Sequence, residues 1–142
     1  MKHAPRPPVY FENAAGQLLI EPAGYLRVVW SRGERLLSHS QALFAHMAQA
    51  LQQQQWSRIL IDQRHMPPFS RAEQQWIAAE WLPQAVRVAG YRYGAVLVSP
   101  DVMVRLATAY VTTHIQNLPL VYCSFETNDA AVAWLLEQPA QP

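Results

Sequence analysis

Two short runs in this chain contain no polar residue: Ile59-Leu60-Ile61 and Ala95-Val96-Leu97-Val98. Successive side chains on a strand point to opposite faces, so an unbroken aliphatic run cannot keep one face wet. Polar and turn residues bound both runs, Ser57-Arg58 before the first and Ser99-Pro100-Asp101 after the second, and neither is long enough for a helix. They read as central strands of a parallel sheet covered on both faces.

Parallel neighbours need long crossovers, and the intervening segments supply helices. Ser38, with Gln41 in the reciprocal capping position, opens a helix to about Gln53 that sets Leu43, Phe44, Met47 and Leu51 on one face. The glutamines Gln52 to Gln55 finish it. Ser70 and Glu73 form another capping box, at the head of a helix holding Trp76, Ile77 and Trp81. Pro83 interrupts or kinks that helix before it resumes towards Ala89. Ser99-Pro100-Asp101 starts a third helix, carrying Val102, Leu106 and Tyr110, which Asn117 and Pro119 stop. Leu120 to Phe125 is the last strand, and Thr127 or Asn128 caps a final helix with Ala131, Trp134 and Leu135 inward.

Upstream, Val9 to Asn13, Gln17 to Glu21 and Tyr25 to Trp30 alternate around two turns as an antiparallel meander, with Leu26, Val28 and Trp30 on one face. The sum is β-β-β-α-β-α-β-α-β-α: one α/β domain over residues 9–138, with a mixed, mainly parallel sheet and helices on its faces. The proline-rich residues 1–8 and the tail 139–142 are expected to be frayed or extended.

The 142 residues are 51% hydrophobic and 15% charged, enough apolar material for a single core. A net charge of +1 gives no footprint for nucleic acid. One cysteine, Cys123, fits a reducing compartment, and Met1 to Pro8 lack the apolar core of a signal peptide. No apolar stretch reaches a membrane span, so a cytoplasmic chain is expected.

Ligands of open α/β sheets bind outside the carboxyl ends of parallel strands. The first such end here presents Asp62, Arg64 and His65. Arg64 would suit a carboxylate or phosphate and His65 proton transfer; alternatively Asp62 and Arg64 pair with each other or tie down the loop. Phe69, Trp76 and Trp81 follow, as core or as an apolar groove for a lipid-like ligand or a second subunit. Ser70 caps a helix, or is phosphorylated at the positive end of its dipole. His39 and His46 lie two turns apart, too far to share a metal ion, and His114 is expected to border the core. The five glycines are scattered, with no phosphate loop, so no metal or cofactor is expected.

Two stretches resemble the STAS/SEC14-type family of small bacterial domains, which includes anti-sigma-factor antagonists. They are Ser57-Arg58-Ile59-Leu60-Ile61-Asp62, after an amphipathic helix, and Phe125-Glu126-Thr127-Asn128-Asp129-Ala130-Ala131-Val132-Ala133-Trp134-Leu135. The resemblance spans roughly Tyr25 to Gln138. It implies a sheet flanked by helices that binds a partner or small ligand rather than catalysing a reaction. Antagonists of this type are phosphorylated on a serine within an Asp-Ser-x-Gly-like motif after a strand. Ser70, in Pro67-Pro68-Phe69-Ser70-Arg71-Ala72, holds that place without the Asp or the Gly.

The expectation is thus a regulatory or protein-interaction module, with a protein partner or a second copy of itself. The alternatives are a binder of a small apolar or lipid-like molecule at Phe69, Trp76 and Trp81, and an enzyme using Asp62, Arg64 and His65.

Overall fold

The computed structural model describes residues 6–115 and 117–142. Residues 1–5 of the proline-rich segment lie outside them, and residues 6–8 precede the first strand without regular structure. The strands are β1 (Val9–Asn13), β2 (Gly16–Glu21), β3 (Tyr25–Trp30), β4 (Arg58–Asp62), β5 (Tyr93–Leu97) and β6 (Val121–Phe125). The helices are α1 (Leu37–Gln54), α2 (Arg71–Trp76), α3 (Leu82–Arg87), α4 (Val102–Thr113) and α5 (Asn128–Leu136), with a π-helical turn, Ile77–Trp81, joining α2 to α3. The order is the expected one, and the fold is a mixed α/β sheet.

The six strands lie side by side in sequence order, β1 to β6. β1-β2-β3 is antiparallel, and β3 to β6 run parallel. β4 and β5 are adjacent in register, Ile59 beside Gly94 and Ile61 beside Val96, with every residue of β4 buried. The aliphatic runs are therefore the sheathed centre of the sheet. α1 to α4 share one core with Leu26, Val28, Trp30, Ile59, Ile61 and Val96. α5 alone covers the opposite face, where Ala131 and Leu135 meet Tyr25, Leu60, Ala95 and Leu97.

Several elements depart in detail from the sequence expectation. α1 begins at Leu37, ahead of Ser38, and its first turn is closed by His39, whose Nδ1 accepts the Leu36 N–H at 3.1 Å. Pro83 interrupts the α-helix as expected, but the helical path continues through it. The backbone widens to an i→i−5 turn just before it, with Leu82 N–H donating to Ile77 C=O, which makes room where the proline ring would clash. Asp101, not Ser99, caps α4 by accepting Met103 N–H at 2.8 Å. α4 ends at Thr113, before Asn117, and His114 is exposed rather than set against the core.

The tail is tied down, not frayed. Buried Ser57 donates its N–H to Ala140 C=O at 2.7 Å and its hydroxyl to Pro139 C=O at 2.6 Å. The irregular segment Pro139-Ala140-Gln141-Pro142 gave no periodic signal; the anchoring lies in Ser57, remote in sequence.

Gly94 marks a close approach of backbone and aromatic rings. A Cβ there would stand 2.2 Å from the Tyr122 ring and 2.5 Å from the Tyr91 hydroxyl. Both rings are held by a hydroxyl–hydroxyl bond of 3.0 Å, so neither swings away freely. Gly94→Ala is expected to cost about 1–3 kcal/mol by overpacking. Urea unfolding checks it, and an unchanged midpoint would show that the rings yield without cost.

Candidate functional site

The carboxyl ends of β3 and β4 gather Arg32, Asp62, Arg64 and His65. Asp62 is 6% exposed and spends both oxygens on the next residue but one. Arg64 donates its N–H and Nε to Oδ1 at 3.1 and 3.0 Å, and Nη2 to Oδ2 at 2.8 Å. Burial pushes the Asp62 carboxyl up, but the Arg64 hydrogen bonds and charge outweigh it and hold the carboxyl below its ordinary value. Arg64 is raised in turn by its bonds to Asp62. The two residues form a closed fork-to-carboxylate pair. His65 is exposed and turns to Arg32, whose Nη2 donates to its Nδ1 at 3.3 Å. No hydrogen bond among the described residues joins His65 to Asp62 or Arg64.

Phe69 and Trp81, 6% and 5% exposed, are buried, and together they line only a small apolar cavity of about 40 Å³ beside Trp30, Phe44 and Gln63. They pack with Trp30 and Phe44 at ring-centre distances of 4.6–5.3 Å, and Trp81 Nε1 donates to Phe44 C=O at 2.7 Å. Trp76 is half-buried and, with the edge of Trp81, borders a cleft of about 360 Å³ between α1 and α3 that Phe69 does not reach. Ser70 caps α2, its hydroxyl oxygen accepting Glu73 N–H at 3.1 Å while its own N–H donates to Glu73 Oε1 at 2.8 Å. A phosphate there would face the Glu73 carboxylate at close range.

Two features of α4 escaped the sequence reading. Val104, Ala107 and Val111 are its buried residues, so Val102, Leu106 and Tyr110 stand outward. With Met103 they are 61%, 60%, 40% and 57% exposed. Arg105 is the only charged residue on the helix. A helix face this apolar is ordinarily enclosed. Apolar residues occupy both the inner side, with Val104, Ala107 and Val111, and the outer side, with Val102, Met103, Leu106 and Tyr110, so hydrophobicity alone does not say which of the two faces in.

The second feature is a groove of about 580 Å³ between α4 and the β5-β6 half of the sheet. α4 leans chiefly on α2 and the π-helical turn, not on the strands below it. Val96, Val98, Ile115 and Tyr122 supply apolar surface, and Gln63, Arg105, Thr108, Ser124 and Glu126 supply polar groups. Gln63, on the β4 loop, is held by Thr108, whose hydroxyl donates to its amide oxygen at 3.0 Å. Three of these residues follow strand ends, the signal by which a search of strand tips finds them. Tyr122 is a strand residue with no such signal.

Among the described residues no three His, Cys, Asp or Glu side chains group to hold a metal ion. Among the described residues no helix is long and apolar enough to cross a membrane. Set against family models, curated proteins and solved structures, the chain matches none.

Proposed function

We propose that the chain is a protein-interaction module of the STAS-like type, with the outer face of α4 as its docking surface. The element order agrees with the resemblance carried by Ser57 to Asp62 and Phe125 to Leu135. One observation carries the reading: Val102, Met103, Leu106 and Tyr110 form an apolar stripe on a helix with a single charge.

Magnitudes define the extent of the surface. Fully burying a large apolar side chain contributes about 1.5–3 kcal/mol, so covering four half-exposed ones contributes about 4 kcal/mol. That only offsets the lower end of the cost of association, so the stripe needs a second contact area. Among the described residues β6 pairs with β5 alone, leaving its other edge unpaired beside exposed Val121, and supplies that area.

Photocrosslinking tests the reading. With benzoyl-phenylalanine in place of Leu106 in the native cells, one discrete protein adduct is expected, lost on Met103→Glu. An adduct at twice the chain mass would identify a second copy as the occupant. Yields no higher than from the same group at exposed Arg87 would overturn the proposal.

A further inference from the structure

The groove beneath α4 holds more hydrogen-bond donors than the chain uses. Gln63 is 4% exposed; Thr108 occupies its amide oxygen, and its amide nitrogen meets no acceptor among the described residues. Yet no fully buried side-chain polar atom among those residues lacks a partner. The nitrogen therefore reaches the open space of the groove that Gln63 lines.

Tyr122 adds a second donor. Its hydroxyl and that of Tyr91 lie 3.0 Å apart, and two hydroxyls sharing one hydrogen bond leave one proton without an acceptor. Tyr91 is wholly enclosed and does not line the groove, whereas Tyr122 does. The spare proton belongs on the groove side. Burial holds the Tyr122 hydroxyl protonated, pushed up to about 12.

Arg105 is the cation of the set. Its Nε donates to Ser99 C=O at 2.6 Å, and none of the ion pairs among the described residues includes it. Its terminal nitrogens retain the planar fork that matches a carboxylate. Glu126 lines the same groove as the single acid, likewise unpaired. With one cation and one acid on the groove, a carboxylate is held where its head lies against the Arg105 fork and away from the exposed Glu126 carboxylate.

We infer that this groove binds a small monocarboxylate with an apolar chain. The head lies on Arg105, the chain along Val96, Val98 and Ile115, and Gln63 and Tyr122 donate to any carbonyl or hydroxyl oxygen borne partway along it. The groove volume falls within the range of about 300–1,000 Å³ typical of small-molecule sites. The inference rests on the inner side of α4 and stands or falls separately from docking on the outer side.

Octanoate titrated into the isotope-labelled chain provides the test, followed by NMR, with octanol and octylamine as parallel arms. Saturable shifts are expected at the Gln63 side-chain amide, Val96 and Thr108, with octanoate the tightest of the three. Arg105→Ala should weaken octanoate about tenfold or more, and Glu126→Gln should tighten it, a gain that loss of structure would not produce. Ala109→Trp, at an exposed position lining the groove, should abolish binding without moving the melting temperature. Absence of saturable shifts at millimolar octanoate, equal binding of octanol, or an unchanged affinity in Arg105→Ala would overturn it.

Discussion

Glu73→Gln is expected to destabilise the fold by about 3–5 kcal/mol, because it strands a buried arginine. Arg35 and Glu73 are 4% and 6% exposed at their side chains and meet as a fork, Nε to Oε2 at 2.8 Å and Nη2 to Oε1 at 3.0 Å. Ser40 also donates to Oε2, and Ser70 N–H to Oε1. The guanidinium lies over Trp30 and Phe69, 5.4 and 5.3 Å from their ring centres, and donates to the carbonyls of Pro67 and Pro68. One carboxylate thus joins α1, α2 and the loop after β3. A glutamine keeps the size but offers one acceptor oxygen where four donors converge. Guanidinium unfolding should show a lower midpoint at unchanged slope, and an unaltered midpoint would refute this account.

The same group makes a pH prediction. Burial pushes the Glu73 carboxyl up, but the bonds from Arg35, Ser40 and Ser70 outweigh it and hold the carboxyl below its ordinary value of 4.5. Its folded pKa lies beneath its unfolded one. The stabilisation is therefore complete above pH 4.5 and is lost as pH falls through the folded pKa. Asp62 titrates in the same sense and shares the acid slope. The difference between wild type and Glu73→Gln isolates the Glu73 part and should shrink steadily below pH 4.5.

Arg58→Met should cost about 2–4 kcal/mol and loosen the molecule at two remote places. Arg58 is 5% exposed and has no carboxylate within ion-pair distance among the described residues. Backbone carbonyls surround it instead. Gly24 C=O accepts from Nε at 3.2 Å and Nη2 at 2.9 Å, Ala23 C=O from Nη2 at 3.3 Å, and Gln138 C=O from Nη1 at 2.9 Å. The carbonyls at the end of α5, Leu135 included, carry the negative end of its dipole and offset part of the buried charge. Burial lowers the pKa of Arg58 without threatening its charge at neutral pH. Methionine keeps the stem and removes the head. Hydrogen exchange should then quicken in α5 and the 22–24 turn, with β1 little changed, and uniform protection in the variant would count against the clamp.

The order of elements could be read because each signal was local. Aliphatic runs define β4 and β5, alternation defines the meander, and Ser70 with Glu73 and Thr127 mark helix starts that the structure retains. What could not be read depends on partners far apart in the chain. Glu73 was visible as a cap but not as the partner of Arg35, 38 positions away, because pairing across elements leaves no periodic trace. Arg58 sat within a recognisable strand start, yet its task depends on a turn 34 residues before it and a helix end 80 residues after. The Asp62–Arg64 pair is the opposite case, two residues apart and resolved as the self-contained alternative among those the sequence offered. The groove of α4 was hidden for a third reason: the helix is apolar on two sides, and residue spacing does not say which of them faces in.

Because the strands lie in sequence order, each new strand pairs with the one made just before it. Sequence separations between contacting strands stay near the length of one crossover, a condition that favours fast folding. During synthesis each strand after the first can pair with an edge already made. β6 is the last to arrive and closes no ring, so the sheet ends as it began, with an edge able to accept one more strand.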